Sequence, residues 1–343
     1  MKSTQRHILL LLVAACLCTT LAQADEGTTA YNFLSLPTSS HVYALGGHNL
    51  TVIDDDINLV QQNPALLGSE FDHQVGLTYM KYIGSTNFLG AQYGQGVSDH
   101  GAVAVGVQYY GYGDLTAADA DGTITGKFSA SDIAINLTYS HDITTNLRGG
   151  IALRYVYSKY ESYTAGAVAV DLGMNYYNPD NELSLSLVAK NLGGQVKKFN
   201  ETKDNLPWDI QLGVSKAFRG IPVRLSLTAY NLRHWHLPYY EPADKNRPTS
   251  DLEKKDSFGS NLFRHLVFGA EYLFSDNMYL ALGYNYKVRT DMSAYKRDLL
   301  SGFSAGAGLR VKAFGFGFAF ARPHTGATTF MLNITTSIGE LMR

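Results

Sequence analysis

The chain has 343 residues and a formal net charge of -2, and 17% of its residues are charged. This near-neutral balance, without any Lys/Arg-rich run, argues against a nucleic-acid-binding surface. There are 33 Gly and 23 Tyr but only 9 Pro, a composition that suits strands, tight turns and interfacial aromatic residues better than helices.

Residues 1–24 have the pattern of a cleaved signal peptide. Lys2 and Arg6 precede an apolar run over residues 8–17, and Ala-Gln-Ala at 22–24 is a small-residue cleavage signal. The run is too short to span ~30 Å of hydrocarbon. Residues 13–16 also fit a lipoprotein signal, which would lipidate Cys16. Because both cysteines lie in this segment, cleavage after residue 24 leaves no thiol for a disulfide or a metal.

Residues 25–73 show no strand-like alternation, and we interpret them as an N-terminal periplasmic or plug segment. A segment that precedes the first strand of a barrel begins on the periplasmic side and can fold into the lumen. Asn63 and Pro64 form its candidate structural plug motif. The acidic run Asp54-Asp55-Asp56 lacks the spacing of a calcium loop. It indicates either a solvated turn or a contact to Lys or Arg in the lumen.

Residues 74–343 predict an all-β fold, a transmembrane antiparallel β-barrel of about fourteen strands. Apolar and polar residues alternate in successive segments, most clearly over 223–230. Short connections at 178–181, 219–221 and 275–277 contrast with long polar loops at 112–130, 193–207 and 236–263, as expected for periplasmic turns and outer loops. A periplasmic β-sandwich or propeller is the alternative. The predicted strands are 74–82, 86–94, 101–110, 131–142, 147–160, 165–177, 182–192, 208–218, 222–235, 264–274, 278–289, 300–312, 314–322 and 328–338.

Charged residues at inward-facing positions have two interpretations. They could line a conducting path, or they could pair with each other and with the plug and so close the lumen. The second interpretation is favoured because buried charges are normally paired. The residues are Arg154, Asp171, Lys190, Arg224, Glu271, Lys287 and Arg310.

No motif predicts catalysis, a cofactor or a metal site. His234 and His236 share a strand face and could hold a metal ion with His265, but His and Trp are ordinary residues at an aromatic strand end. The sequence has no G-x-S-x-G elbow, zinc-binding helix motif or phosphate-binding glycine loop. We therefore expect a protein that is not an enzyme and has no cofactor.

Several short motifs resemble a known family. They are YNFLSLP at 31–37, ALGG at 44–47, QNPALL at 62–67, YYGYG at 109–113, LPWD at 206–209 and GYNY at 283–286. In this combination the chain resembles the FadL-like barrels to which PorV and PorQ of the Bacteroidetes type IX secretion system belong. The resemblance covers essentially the whole mature chain.

The resemblance implies a non-enzymatic docking component of a cell-surface attachment complex in the outer membrane. Its partners would be PorZ, PorU and PorV-like proteins, together with outer-membrane lipid or lipopolysaccharide. The alternative is a FadL-like transporter of a long-chain fatty acid or another hydrophobic ligand, which needs a pocket under the outer loops; Phe258, Leu262 and Phe263 could contribute to it. The predicted partner-binding residues on the outer loop are Glu241, Asp244, Lys245, Arg247, Asp251, Lys254 and Lys255.

Overall fold

The computed structural model describes residues 31–201, 203–243, 251–291, 300–324 and 327–341. The predicted signal peptide and the alternative lipidation site at Cys16 lie outside the described residues. Within these ranges, no helix has the length and apolar character needed to cross a membrane.

Fourteen antiparallel strands form a closed barrel, in which the first strand, Gln74–Lys81, pairs with the last, Ala327–Ser337. This confirms the predicted all-β class and the strand number. The barrel strands are β1 Gln74–Lys81, β2 Asn87–Ser98, β3 Gly101–Ala118, β4 Ile124–Thr144, β5 Leu147–Tyr160, β6 Tyr163–Asn178, β7 Leu183–Lys197, β8 Asp209–Phe218, β9 Ile221–Ala229, β12 Leu266–Ser275, β13 Met278–Asn285, β14 Phe303–Val311, β15 Phe314–His324 and β16 Ala327–Ser337.

Burial along the strands follows the alternation in the sequence. On β5, Leu153 and Tyr155 face outward and are about half exposed, whereas Arg154 between them is buried in the lumen. Leu153 pairs with Leu137 of β4, which also faces outward. The barrel therefore presents an apolar outer wall and a largely polar interior, the arrangement of a barrel embedded in a membrane.

The long connections contain more regular structure than the sequence predicted. Residues 112–130 are not a loop, because β3 and β4 stay paired from Asp114↔Ser129 to Ala118↔Ile124. This ribbon rises beyond the barrel rim, since β2 pairs with β3 only as far as Gly111. Neither face of this ribbon is buried, so its residues are mostly polar. The sequence therefore predicted a loop here.

Other predicted boundaries shift for local reasons. The strand predicted over 222–235 ends at Ala229 because Asn231 adopts a left-handed conformation, with φ of 55°. The strand predicted over 278–289 ends at Asn285, where the helix Tyr286–Asp291 begins. The predicted loop at 193–207 starts later, because β7 runs to Lys197. The predicted loop at 236–263 contains the hairpin of β10 (Tyr239–Pro242) and β11 (Leu252–Lys255), and the helix Phe258–Arg264.

Residues 31–73, referred to below as the plug, lie inside the barrel. The plug contains the α-helix Ser40–Ala44 and the 3-10 helices Asn32–Ser35, Ile57–Gln61, Pro64–Leu66 and Ser69–Phe71. Three of these short helices begin at a capping side chain, because Ser39, Asp56 and Asn63 each accept a hydrogen bond from the backbone N–H two residues later. Such local caps hold the backbone of a segment that forms no strand.

Candidate functional site

A buried cluster of charged residues joins the plug to the barrel wall. His41 in the plug donates from Nδ1 to Asp54 Oδ2 (3.0 Å) and from Nε2 to Glu271 Oε1 (2.6 Å). Arg224 donates to both oxygens of Glu271, each at 2.7 Å. The His41 ring also stacks on Tyr279, with centroids 3.8 Å apart. The cluster thus fixes the helix Ser40–Ala44 against β9, β12 and β13.

His41 belongs to the plug and not to a strand, and its surroundings favour the charged ring. Burial alone would lower the pKa of His41, but the carboxylates of Glu271 and Asp54 raise it to about 9. The imidazolium form supplies both N–H donors that the two carboxylates require. At neutral pH the cluster is therefore a charged network of two cations and two anions.

A second charged pair lies higher in the lumen. Arg154 Nη2 donates to Asp171 Oδ2 at 2.9 Å, and both side chains are almost completely buried. Arg154 also donates to Asn136 Oδ1 and Asn191 Oδ1, each at 2.6 Å, and to Gln61 Oε1 of the plug at 3.4 Å. The guanidinium therefore has a partner on each of its nitrogen atoms, as a buried charge requires.

Most of the inward charges singled out in the sequence contact the plug or pair with each other. Lys190 Nζ donates to Gln61 O and Gln62 Oε1, both at 3.3 Å. Arg310 binds Asp55, with Nη1 3.1 Å from Oδ2. Lys287 differs from the prediction, because it lies in the helix Tyr286–Asp291 and pairs with Asp291 at 2.9 Å. The interpretation of a lumen closed by pairing therefore fits the geometry.

The Asn-Pro motif of the plug lies against the barrel wall at β5 and β6. Asn63 Nδ2 donates to Leu50 O and to Ser186 Oγ, both at 3.1 Å, while its Oδ1 accepts from the Ala65 N–H at 2.9 Å. Pro64 lies so close to β5 that a methyl group at Gly150 would overlap the Pro64 backbone. The motif thus joins two plug turns to the barrel wall.

A cavity of about 420 Å³ lies between the plug and the outer connections of the barrel. Apolar and aromatic side chains supply part of its lining, including Leu34, Leu36, Tyr82 and Val288. Charged and polar groups converge on it as well. They include Lys190, Asp209, Gln211, Arg233, Lys287 and Asp291.

Three of the lining side chains have a polar atom without a hydrogen-bond partner among the described residues. These atoms are Trp208 Nε1, Asp209 Oδ1 and Gln211 Oε1. Buried polar atoms are normally hydrogen-bonded, so these three atoms are exceptions next to the cavity. The Arg233 guanidinium lies 4.4 Å from the centre of the Trp208 ring, which adds a cation–π contact beside them.

His48 forms another aromatic part of the lining. Its ring stacks on Tyr230, with centroids 4.1 Å apart. Burial, together with the positive charges of Lys190 and Lys287, lowers the pKa of His48 to about 3. The ring is therefore neutral at physiological pH and contributes a flat, weakly polar surface.

A second cavity of about 120 Å³ adjoins the first. The two cavities share lining residues, among them Leu36, Tyr82 and His48. The second one continues to the barrel wall at Phe303 and Ala321, on β14 and β15. Together they lead from beneath the outer connections towards the side of the barrel.

Other residues singled out in the sequence lie away from these cavities. Phe258, Leu262 and Phe263 line neither of them, and the helix that carries them leaves Phe258 70% exposed. Of the predicted partner-binding residues, Asp244, Lys245 and Arg247 lie outside the described residues. Glu241, Asp251, Lys254 and Lys255 lie on or beside the β10–β11 hairpin.

The three histidines considered for a metal site do not converge on one point. His265 is buried, and its Nδ1 and Nε2 lie 2.8 and 3.2 Å from the carbonyl oxygens of Tyr230 and Trp235. His236 is exposed and lies near Asp256, 3.4 Å away. Throughout the part of the chain that the structure describes, no group of three His, Cys, Asp or Glu side chains is placed to hold a metal ion.

The fold matches solved outer-membrane channels, although no protein-family profile and no curated protein matches the sequence. The Pseudomonas putida toluene transporter TodX superposes with a TM-score of 0.51 at 11% identity, covering 88% of this chain and 96% of TodX. A TodX deletion mutant, described as a monoaromatic hydrocarbon channel, gives 0.52 at 13% identity, covering 87% and 97%. A Pseudomonas aeruginosa FadL homologue gives 0.50 at 9% identity, covering 88% and 98%. The chain therefore has the fold of the FadL-like membrane barrels.

Proposed function

We propose that the protein is an outer-membrane channel that admits a hydrophobic ligand with a polar head, such as a long-chain fatty acid, and that it performs no catalysis. The cavity of about 420 Å³ beneath the outer connections carries this proposal. Its size lies within the range of small-molecule sites, and such sites combine an apolar lining with a few convergent polar groups. The names of the similar structures, a toluene transporter and a hydrocarbon channel, support the same ligand class.

The two ends of a fatty acid would meet different parts of the cavity. The alkyl chain suits the side of Leu34, Leu36 and Val288, and it could continue into the second cavity towards Phe303. The polar head suits the side of Lys190 and Trp208. The plug would keep water and ions from crossing below, because its charges are already paired with the wall.

Binding of labelled oleate to the purified barrel in nanodiscs tests the proposal. Leu36→Trp adds bulk where the two cavities meet, and we expect it to weaken oleate binding by tenfold or more. Leu77→Trp is the matched control, because Leu77 faces outward and is 50% exposed. If wild-type protein binds neither oleate nor hexadecane, or if Leu36→Trp binds oleate as tightly as wild type, the proposal is wrong.

As a second candidate we propose the docking role in the type IX attachment complex, with PorZ, PorU and PorV-like proteins as partners and lipopolysaccharide nearby. The observation that favours it is the exposed outer surface formed by the β10–β11 hairpin and the helix Phe258–Arg264. There Tyr240 and Phe258 are 51% and 70% exposed, beside the mixed charges of Glu253 and Lys254. Exposed aromatic residues rimmed by charge are typical of protein interfaces.

Cargo localisation separates this role from transport. The test variant has a short glycine-serine link in place of the β10–β11 hairpin. If the hairpin docks a partner, cells with this variant should retain cargo carrying a C-terminal sorting domain, or release it into the medium. Leu36→Trp should leave cargo display unchanged. Normal surface display without the hairpin, and also without the whole gene, would exclude the docking role.

A further inference from the structure

An apolar groove of about 530 Å³ runs along the outside of the barrel, across β8, β9, β12 and β13 to Phe303 of β14. Large outward-facing side chains form its sides, including Leu225, Phe268 and Leu282, which are 46%, 37% and 62% exposed. Ala270 lies in the middle of the groove and pairs with Leu225 on one side and with Leu282 on the other. The groove exists because one small residue stands among large ones on the outer wall.

One end of the groove carries a positive charge. Lys216 lines the groove and faces outward, two positions before β8 ends at Phe218. The turn that follows is a short one, which places this end on the periplasmic side. Phe218 and Phe274 lie at the same end of the wall and are 41% and 52% exposed, as expected for residues at a membrane interface. The ammonium group can therefore reach the lipid headgroups.

Among the described residues, the strands on either side of Lys216 carry no outward-facing acidic side chain. The residues paired with Lys216 are Leu183 and Leu225. Along β8, β9 and β12, which the structure describes in full, every outward-facing position other than Lys216 holds an uncharged residue. A cation next to a nearly apolar groove is complementary to a molecule with an anionic head and a hydrocarbon chain.

We propose that this groove is a binding site for one phospholipid of the periplasmic leaflet, with an acyl chain beside Ala270 and the phosphate at Lys216. Shape alone gives little preference, because every lipid presents acyl chains to the wall. The charge pair at the end of the groove supplies the selectivity, and a lysine near an anionic headgroup favours binding roughly fivefold. The groove adjoins the second cavity at Phe303. Lys216 and Ala270, which carry the proposal, line neither lumen cavity, so the lipid site does not depend on the proposed transport function.

Native mass spectrometry of the purified barrel tests this site, with phosphatidylglycerol and a diacylglycerol of the same chains as probes. Wild-type protein should retain one phosphatidylglycerol and much less diacylglycerol. Lys216→Ala should lower the retained phosphatidylglycerol about fivefold. Ala270→Leu should lower it as well, because the added side chain fills the groove without any change of charge.

Matched controls come from parts of the wall outside the groove. Lys159→Ala removes an exposed lysine from β5, and Ala91→Leu enlarges an outward-facing alanine of β2; both should retain phosphatidylglycerol as wild type does. A heat-modifiable shift on gels confirms that each variant is folded. Equal retention in all four variants, or equal retention of diacylglycerol by wild type, would overturn the proposal. So would a retained mass equal to a second copy of the chain.

Discussion

The charged cluster around Glu271 leads to a specific prediction about how the plug is held. Glu271→Gln keeps the shape of the side chain but removes the carboxylate that binds both Arg224 and His41. Asp54 would remain as the carboxylate that binds His41, and Arg224 would lose its carboxylate partner. We expect the helix Ser40–Ala44 to separate from the wall more often, while the barrel strands remain paired.

The expected size of the effect follows from the burial of the cluster. Removing one partner of a buried ion pair costs about 3–5 kcal/mol. Asp54 still neutralises His41, and Arg224 is 17% exposed, so the lower end of about 3 kcal/mol applies. That cost corresponds to a roughly 150-fold increase in the population of the detached helix.

Hydrogen exchange measures this population directly, because amide protons of the helix exchange when it detaches. The amides of Tyr43 and Leu45, which bond to Ser39 and His41, should exchange roughly 150-fold faster in Glu271→Gln. Glu70→Gln is the control, since Glu70 is 42% exposed in its pair with Arg148 and should change exchange in the helix little. Unchanged exchange in Glu271→Gln would refute the idea that this cluster holds the plug.

Three further predictions concern the same segment. The charge of His41 stabilises plug docking fully below about pH 6.5 and loses this effect as pH rises through about 9. Exchange of the helix amides should therefore accelerate over that range by more than the intrinsic chemical exchange rate does, and His41→Gln should abolish this additional acceleration. Asn63→Ala should lower the free energy of unfolding in urea by about 1–3 kcal/mol through the lost cap and buried hydrogen bonds; a change below 0.5 kcal/mol would contradict this role. Gly283→Ala should reduce the heat-modifiable, assembled fraction, because its methyl group would overlap the plug backbone, whereas Gly259→Ala points into open space and should assemble normally.

The barrel could be predicted from the sequence because alternation is a local property. Each strand places residues two positions apart on the same face, so an apolar outer wall leaves a visible trace in every segment. The prediction failed where one face stops being buried. The ribbon beyond Gly111 has solvent on both sides, and its sequence therefore gave no sign that Asp114 would pair with Ser129.

The site was far less predictable, because it depends on contacts between distant parts of the chain. Inward charges could be identified from alternation, but the partner of Arg310 is Asp55 in the plug, 255 positions away. The plug sequence has no regular alternation of apolar and polar residues, and only its helix caps depend on residues close together in the sequence. Leu36 and Trp208 line the same cavity, and no signal in the sequence connects them. Phe258 was chosen for its apolarity, yet it faces the outside of the loop region.

The paired lumen and the open cavity above it restrict the routes that a ligand could take. Passage straight down the barrel would require the plug to leave. The contacts of His41 with Glu271 and of Gln61 with Arg154 would then break, the first at the cost of separating a buried ion pair. A sideways route would leave these contacts in place, because the second cavity reaches the wall at Phe303. A hydrophobic molecule would then enter the membrane without crossing the polar interior. This geometry is consistent with the hydrophobic ligand class proposed above.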